Sequence, residues 1–174
     1  MKFVGKLRIL TRLSRQGRAK RMVESAELLK KLQIKAETRL WLVNAPPDIA
    51  QALRAGAGIE TVEAGDAYDG VVAFCENPPE VESFSRSALA GLPDDGLLWF
   101  AYRKGATGKA AGLSRDVGWD ALLQQGYCPV RAVAIDENWT GMRFRPLDKI
   151  KNRNDGPSSR AWTEKIETAR KPAR

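Results

Sequence analysis

The stretch Leu40-Trp41-Leu42-Val43-Asn44-Ala45-Pro46-Pro47 decides how this chain is read. Four consecutive apolar residues that end at a turn read as the buried central strand of a parallel sheet, and the two prolines pre-set φ for the first turn of a helix. A strand leading into a helix opens an α/β unit. At this junction nucleotide-binding α/β domains carry a glycine-rich turn, which lets the backbone approach a phosphate or a ribose closely. Asn-Ala-Pro-Pro contains no glycine, and each proline removes an N–H donor. The fold is legible here while the usual cofactor signature is missing.

Outward from that strand, strand and helix signals alternate from Ile34 to Pro146. A helix is expected from about Asp48 to Arg54, stopped by Gly56 and Gly58. Gly58–Glu63 reads as a short strand and Gly70–Cys75 as a continuous apolar one, so parallel pairing is expected. Pro79–Leu89 reads as helix. The turn Pro93-Asp94-Asp95-Gly96 leads into the strand Leu97–Tyr102, and Ser114 is placed to cap a helix that ends at Gly126. Pro129–Ile135 and Trp139–Arg145, separated by Asp136-Glu137-Asn138, form a β-hairpin pattern. The predicted architecture is α/β and Rossmann-like: a mostly parallel sheet with a C-terminal antiparallel hairpin and helices on both faces.

The runs Ile34–Val43, Tyr68-Asp69-Gly70-Val71-Val72 and Leu92-Pro93-Asp94-Asp95-Gly96-Leu97-Leu98-Trp99, followed by a helix and a terminal hairpin, resemble the scaffold of class I S-adenosylmethionine-dependent methyltransferases over about residues 34–146. Leu42–Pro46, Ser114-Arg115-Asp116-Val117-Gly118-Trp119 and Arg143-Phe144-Arg145-Pro146 resemble more closely a group of small bacterial proteins that have a degenerate methyltransferase-like fold and no assigned activity. The resemblance implies a shortened topology, because one strand–helix unit is missing before Gly70. It also implies an acid at the end of the second strand that accepts ribose hydroxyls. Glu63, nineteen residues after Asn44, stands there. A lone acid at the start of a loop is otherwise simply solvated.

The chain has 174 residues and 43% hydrophobic content, which suits one domain with appendages. Histidine is absent, which excludes Ser-His-Asp and Cys-His catalysis and removes the commonest metal ligand. Cys75 and Cys128 form no CxxC pair, so neither catalytic nor metal residues are expected, and two cysteines suit a reducing, cytoplasmic setting. No apolar run is long enough to span a bilayer.

The net charge of +8 is uneven. Residues 1–32 hold ten Lys/Arg and two acids, residues 147–174 eight and four, and residues 33–146 eleven and fifteen. The expected organisation is therefore a basic helical arm (1–33), a mildly acidic Rossmann-like domain (34–146) and a basic, largely disordered tail (147–174). In the arm, Phe3, Val4, Leu7, Leu10 and Leu13 recur at helical spacing among Lys2, Arg8, Arg12 and Arg15, a basic amphipathic pattern. A second helix, about Lys20–Leu32, would pack through Met22, Val23, Ala26, Leu29 and Leu32, with Glu27 and Lys31 as an i,i+4 pair.

Open α/β sheets bind ligands outside the carboxyl ends of their strands, at the switch in strand order. The candidate binding residues are therefore Asn44, Glu63, Glu76, Arg103, Lys104 and Lys109. The last three, with Arg115, surround a small-residue stretch, Gly105–Gly112, that could close over an anion; it lacks the GxxxxGK[ST] pattern of a P-loop. Trp139 alternates with Arg143 and Arg145 along one strand, an arrangement that packs across strands, stacks a base or holds an acidic partner. Cys75 reads as a buried small hydrophobe.

Two functions are weighed. The first is a non-catalytic Rossmann-like binding module, its cofactor unknown, whose basic arm (residues 1–21) meets nucleic acid or an anionic membrane surface, with room for a small-molecule ligand. The second is a divergent S-adenosylmethionine-dependent methyltransferase using the same crevice.

Overall fold

The computed structural model describes residues 25–150 and 157–170. In chain order the elements are α1 (25–31), β1 (Arg39–Val43), α2 (Pro47–Arg54), β2 (Glu60–Val62), β3 (Gly70–Cys75), α3 (Pro78–Ala90), β4 (Leu97–Arg103), α4 (Gly105–Ala110), α5 (Asp120–Gln124), β5 (Tyr127–Ala134), β6 (Trp139–Pro146), a 3₁₀ turn (Leu147–Lys149) and α6 (Pro157–Arg170). The strands form one six-stranded sheet in the order β2-β1-β3-β4-β6-β5. The first four run parallel, β6 is antiparallel to β4, and β5 is antiparallel to β6. This is the expected Rossmann-like, shortened methyltransferase-like architecture.

The alternation of side chains along each strand builds two cores. Trp41, Val71, Ala73, Leu98, Phe100, Met142 and Phe144 face α3, α5 and α6, while Leu40, Val72, Phe74, Trp99 and Trp139 face α1 and α2. All six residues of β3 are buried because helices cover both faces, so a centrally placed parallel strand reads as an unbroken apolar run.

Only residues 63–69 connect β2 to β3, and they form no helix. Tyr68 occupies the face that a crossover helix would cover. Its ring lies 5.3 Å from Trp41, its hydroxyl donates to the carbonyls of Ser87 and Ala88 at the end of α3, and it accepts from the Gly91 N–H. One buried aromatic thus closes the gap left by the absent unit. The return is feasible because β2 is only three residues long.

Four expectations need correction. First, α1 packs through Ser25, Leu28 and Leu32 with Leu29 at the margin, and Ala26 is exposed, so the buried stripe is rotated from the expected one. The Ser25 hydroxyl sets that rotation by donating to the Ala52 carbonyl of α2. The Glu27–Lys31 pair forms at 2.9 Å. Residues 1–24, and with them the amphipathic arm, Met22 and Val23, lie outside the described residues.

Second, the Gly105–Gly112 segment holds a short helix, α4, seated so tightly that a Cβ on Gly108 would collide with the Arg103 carbonyl. Third, Ser114 does not cap a helix. Residues 113–119 form a turn with Gly118 at φ 95°, a conformation that breaks helix continuity, and the Trp119 indole N–H donates to the Ser114 carbonyl at 2.8 Å. Helix α5 starts only at Asp120.

Fourth, residues 157–170 are helical where a disordered tail was expected. Trp162, Ile166 and Ala169 recur at i, i+4 and i+7, and Ile166 is fully enclosed against the core. The Arg170 guanidinium donates to the Gln124 carbonyl and the Lys165 ammonium to the Asp116 carbonyl. Composition pointed to disorder; an apolar stripe with a docking surface won.

Candidate functional site at the carboxyl rim of the sheet

The chain leaves β1 through Asn44 at φ 53°, the left-handed region. Asparagine tolerates that conformation, so it does the geometric work of the missing glycine, and its Nδ2 donates to the Phe74 carbonyl of β3 at 3.1 Å. Pro46 is the N-cap of α2 and Pro47 its first residue, with no side-chain cap and Asp48 in the first turn. The turn has the shape of a cofactor turn without its chemistry. Two N–H donors are gone, and a carboxylate stands where an anion would be attracted.

After β3 the chain enters α3 through a reciprocal capping box. Asn77 Oδ1 accepts from Glu80 N–H at 3.0 Å, while the Glu80 carboxylate accepts from Asn77 Nδ2 at 3.3 Å and from Glu76 N–H at 2.8 Å. The Asn-x-x-Glu spacing of Asn77-Pro78-Pro79-Glu80 is a sequence signal for this box that the reading of Pro79–Leu89 as a helix did not include.

The box aims Glu76 across the rim at Arg103, the last residue of β4. Arg103 donates through Nε to both carboxylate oxygens at 3.1 Å and through Nη2 to one at 2.9 Å. Its guanidinium carbon lies 4.3 Å above the Trp139 ring centroid. Trp139 is itself buried and meets Phe74 edge-on at 5.1 Å. Arg103 is therefore fixed on both sides, and its hydrogen bonds to Glu76 hold its pKa above the ordinary arginine value.

The other candidates are placed as follows. Lys104 ties down the hairpin turn, its backbone N–H donating to Asn138 O at 2.8 Å and its ammonium to the Asp136 carbonyl. Lys109 is exposed in the last turn of α4. Glu63 is exposed beyond β2, with its backbone N–H on the Asp66 carboxylate at 3.1 Å. The fold thus joins Asn44 to β3, Glu76 to Arg103, and Lys104 to the hairpin turn, leaving Glu63 at the far edge strand. Cys75 is fully buried, and desolvation pushes its thiol pKa far up, consistent with an inert small hydrophobe.

Beside the rim, a cavity of about 280 Å³ is lined by Tyr102, Lys109, Ser114, Arg115 and Asp116, among others. Neither Lys109 nor Arg115 has an ion pair among the described residues. Burial raises the Tyr102 pKa, with Arg115 opposing. Two unpaired cations beside hydroxyls can hold an anionic group. A second cleft of about 490 Å³ lies between the 116–120 turn and α6. Asn44, Glu63 and Glu76 line neither.

Solved structures with a similar chain course include an N-methyltransferase, NodS, from Bradyrhizobium japonicum WM9 (18% identity, 70% of this chain and 93% of that one, TM-score 0.43). TrmN from Thermus thermophilus shares 15% identity over 71% of this chain and 48% of its own, with a TM-score of 0.41. A protein of the NADB-Rossmann superfamily from Streptococcus agalactiae shares 8% over 83% and 96%, with a TM-score of 0.39. No protein-family model matches the sequence, and a search of curated proteins finds no similar sequence. At these identities no residue role passes to this chain. Among the described residues no helix is long and apolar enough to cross a membrane.

Proposed function

We propose that the protein is a Rossmann-like binding module without catalytic activity of its own, which meets an anionic partner. The observation that carries this reading is the turn Asn44–Asp48. It keeps the left-handed entry of a cofactor turn, yet two prolines delete N–H donors and Asp48 adds negative charge. A phosphate or carboxylate there would meet fewer donors and a repelling acid. The rim's strongest cation, Arg103, is already engaged by Glu76. Lys109 and Arg115 at the cavity keep their positive charge without an ion pair among the described residues, and residues 1–21 hold eight Lys/Arg and no acid, the segment proposed to meet nucleic acid or an anionic membrane surface.

The test has two arms. Deleting residues 1–21 abolishes binding to duplex DNA and to anionic vesicles at low salt. For about five neutralised phosphates the intact chain gives a log–log salt slope near about −4.5. Equal binding by the truncated and intact chains overturns the role of the arm. In the second arm, S-adenosylmethionine leaves thermal stability unchanged. A ligand at 100 times its dissociation constant would add about 2.7 kcal/mol. A saturable rise lost in Glu63→Ala would overturn the absence of a cofactor site and favour instead the divergent methyltransferase, a reading motivated by the exposed acid at the end of β2.

A further inference from the structure

At the opposite end of the sheet from the rim, three arginines gather on the face of the β5–β6 hairpin that looks toward α1. Arg131 and Arg143 stand directly opposite each other in the antiparallel register, just past the irregularity at Val130, and Arg145 follows two residues along the same strand. A single carboxylate, Asp95, acts on two of them, Arg145 and Arg143. Asp95 is engaged by Arg145, whose Nε donates at 2.8 Å and whose Nη2 donates to the second oxygen. Arg143 donates through Nη1 to the Gln33 side-chain oxygen, and its Nε is shut away from solvent with no acceptor. Arg131 is exposed and has no ion pair among the described residues.

Like charges directly opposite across an antiparallel pair are destabilising. Here the repulsion falls on a half-buried side chain, where it is less screened than at the surface. Burial, Arg145 and Arg131 all push the Arg143 pKa down, and Asp95 only partly offsets them. The turn that carries Gln33 is nonetheless anchored to the sheet. Gln33 sits at φ 56° at the end of α1, and the preceding Leu32 carbonyl accepts the Trp99 indole N–H at 2.8 Å. Two facing guanidiniums, one of them exposed, with a neutral amide and an already engaged carboxylate as their neighbours, describe a place short of one anion.

We propose that Arg131 and Arg143 form an oxyanion site that takes a phosphate group. Guanidinium forks match phosphate oxygens in shape and charge, and a dianion between them turns their mutual repulsion into shared attraction. The site goes beyond the rim and the arm: it uses folded residues at the amino ends of the parallel strands. β5 is an edge strand with one neighbour, so a phosphate on a small molecule and one within a nucleic-acid strand both have access.

The experiment melts the full chain in chloride and in inorganic phosphate at matched ionic strength, alongside Arg131→Gln and Arg143→Gln, with Arg86→Gln as a control. Phosphate raises the melting temperature of the intact chain saturably, and ³¹P line broadening reports the same affinity. Arg131→Gln raises the melting temperature in low-salt chloride, because repulsion is relieved, and weakens phosphate binding at least tenfold. The control behaves like the intact chain. Because Arg131 is exposed, this variant keeps the test decisive even if Arg143→Gln folds poorly. An unchanged phosphate increment in Arg131→Gln overturns the site, as does the absence of any increment in the intact chain. A single-stranded oligonucleotide whose affinity falls with Arg131→Gln identifies the source as a phosphodiester. An effect on inorganic phosphate alone identifies a free phosphate or monoester. The arm can fail its own test while this phosphate increment persists, so the two failures are distinguishable.

Discussion

Arg103 and Arg143 project from the same face of the sheet, toward α1 and α2, one at the carboxyl rim and one on the antiparallel neighbour β6, level with the amino end of β4. Arg103 has a bidentate carboxylate on one side and an indole beneath it. Arg143 has one amide, one orphaned donor and two arginines for neighbours. At the carboxyl rim the strand-end arginine, Arg103, is neutralised by Glu76, whereas at the amino end Arg143 has no ion pair of its own among the described residues. Counting charges by sequence segment hides this, because pairing is a property of strand register and not of composition.

The largest effect expected comes from Trp99, which lies on that face in register with Arg143 and is fully buried. Trp99→Ala should cost about 3–5 kcal/mol in urea unfolding, the usual range for deleting a large buried aromatic. Trp99→Phe keeps most of the volume but strands the Leu32 carbonyl, which should cost about 1–3 kcal/mol. If the two variants lose the same stability, the peg to α1 outweighs packing, and the anchoring argued for Gln33 rests on one hydrogen bond. On the other face, Ile166→Ala should cost about 2–4 kcal/mol if α6 belongs to the core. A midpoint shift within error would make α6 an appendage.

A direct comparison of the two arginines comes next in size. Arg103→Ala removes the pair with Glu76 and uncovers Trp139. Because both partners are a third or more exposed, the loss should be about 1–2 kcal/mol and no more. Arg143→Gln in low-salt chloride should be neutral or slightly stabilising. Equal losses from the two would erase the distinction between the ends of the sheet.

Much of the fold was legible from apolar runs. β3 and β4 are continuous because they are buried on both faces, β1 because it is at least half-buried on both, and the hairpin announced itself through Asp136, whose carboxylate accepts the Asn138 and Trp139 N–H groups at 2.8 and 2.7 Å. α4, α6 and the turn at 113–119 were not legible, because each depends on a tertiary partner: the Arg103 carbonyl against Gly108, the α5 surface against Ile166, and the Trp119 indole on Ser114. The rim was located by the switch in strand order, yet nothing in the sequence told Arg103, which is paired, from Arg143, which is not. That information lies in residue pairs 27 and 110 positions apart, Arg103 with Glu76 and Arg143 with Gln33.

Acid should act at the amino end of the sheet, where Asp69 precedes β3 and Asp95 precedes β4. Hydrogen bonds from Arg145 hold the Asp95 carboxyl below its ordinary pKa, and those from Arg39 do the same for Asp69. A carboxyl depressed in the folded state stabilises above its unfolded pKa of about 3.9, and that stability is lost as pH falls through the lower folded value. Stability should therefore decline below about pH 4, and Asp95→Asn should flatten the decline. Losing Asp95 also leaves Arg143 and Arg145 without the carboxylate that acts on both, so this variant should be more salt-sensitive at neutral pH than Asp69→Asn. Equal salt sensitivity would mean that the arginines do not sense one another.

The smallest effect tests the turn after β1, where shape and chemistry diverge. Asn44→Ala forces a Cβ-bearing residue without a helpful side chain to keep φ near 53° and removes the bond to the Phe74 carbonyl, together about 1–2 kcal/mol. Asn44→Gly loses the same bond but relaxes the backbone, so its cost should be a few tenths of a kcal/mol. The difference between the two, read from urea midpoints at constant slope, isolates the left-handed conformation from the hydrogen bond. If alanine and glycine are equivalent, the backbone at residue 44 has moved out of the left-handed region without penalty. The claim that asparagine substitutes for a cofactor-turn glycine would then fail, leaving only the two prolines and Asp48 to explain why this rim repels an anion.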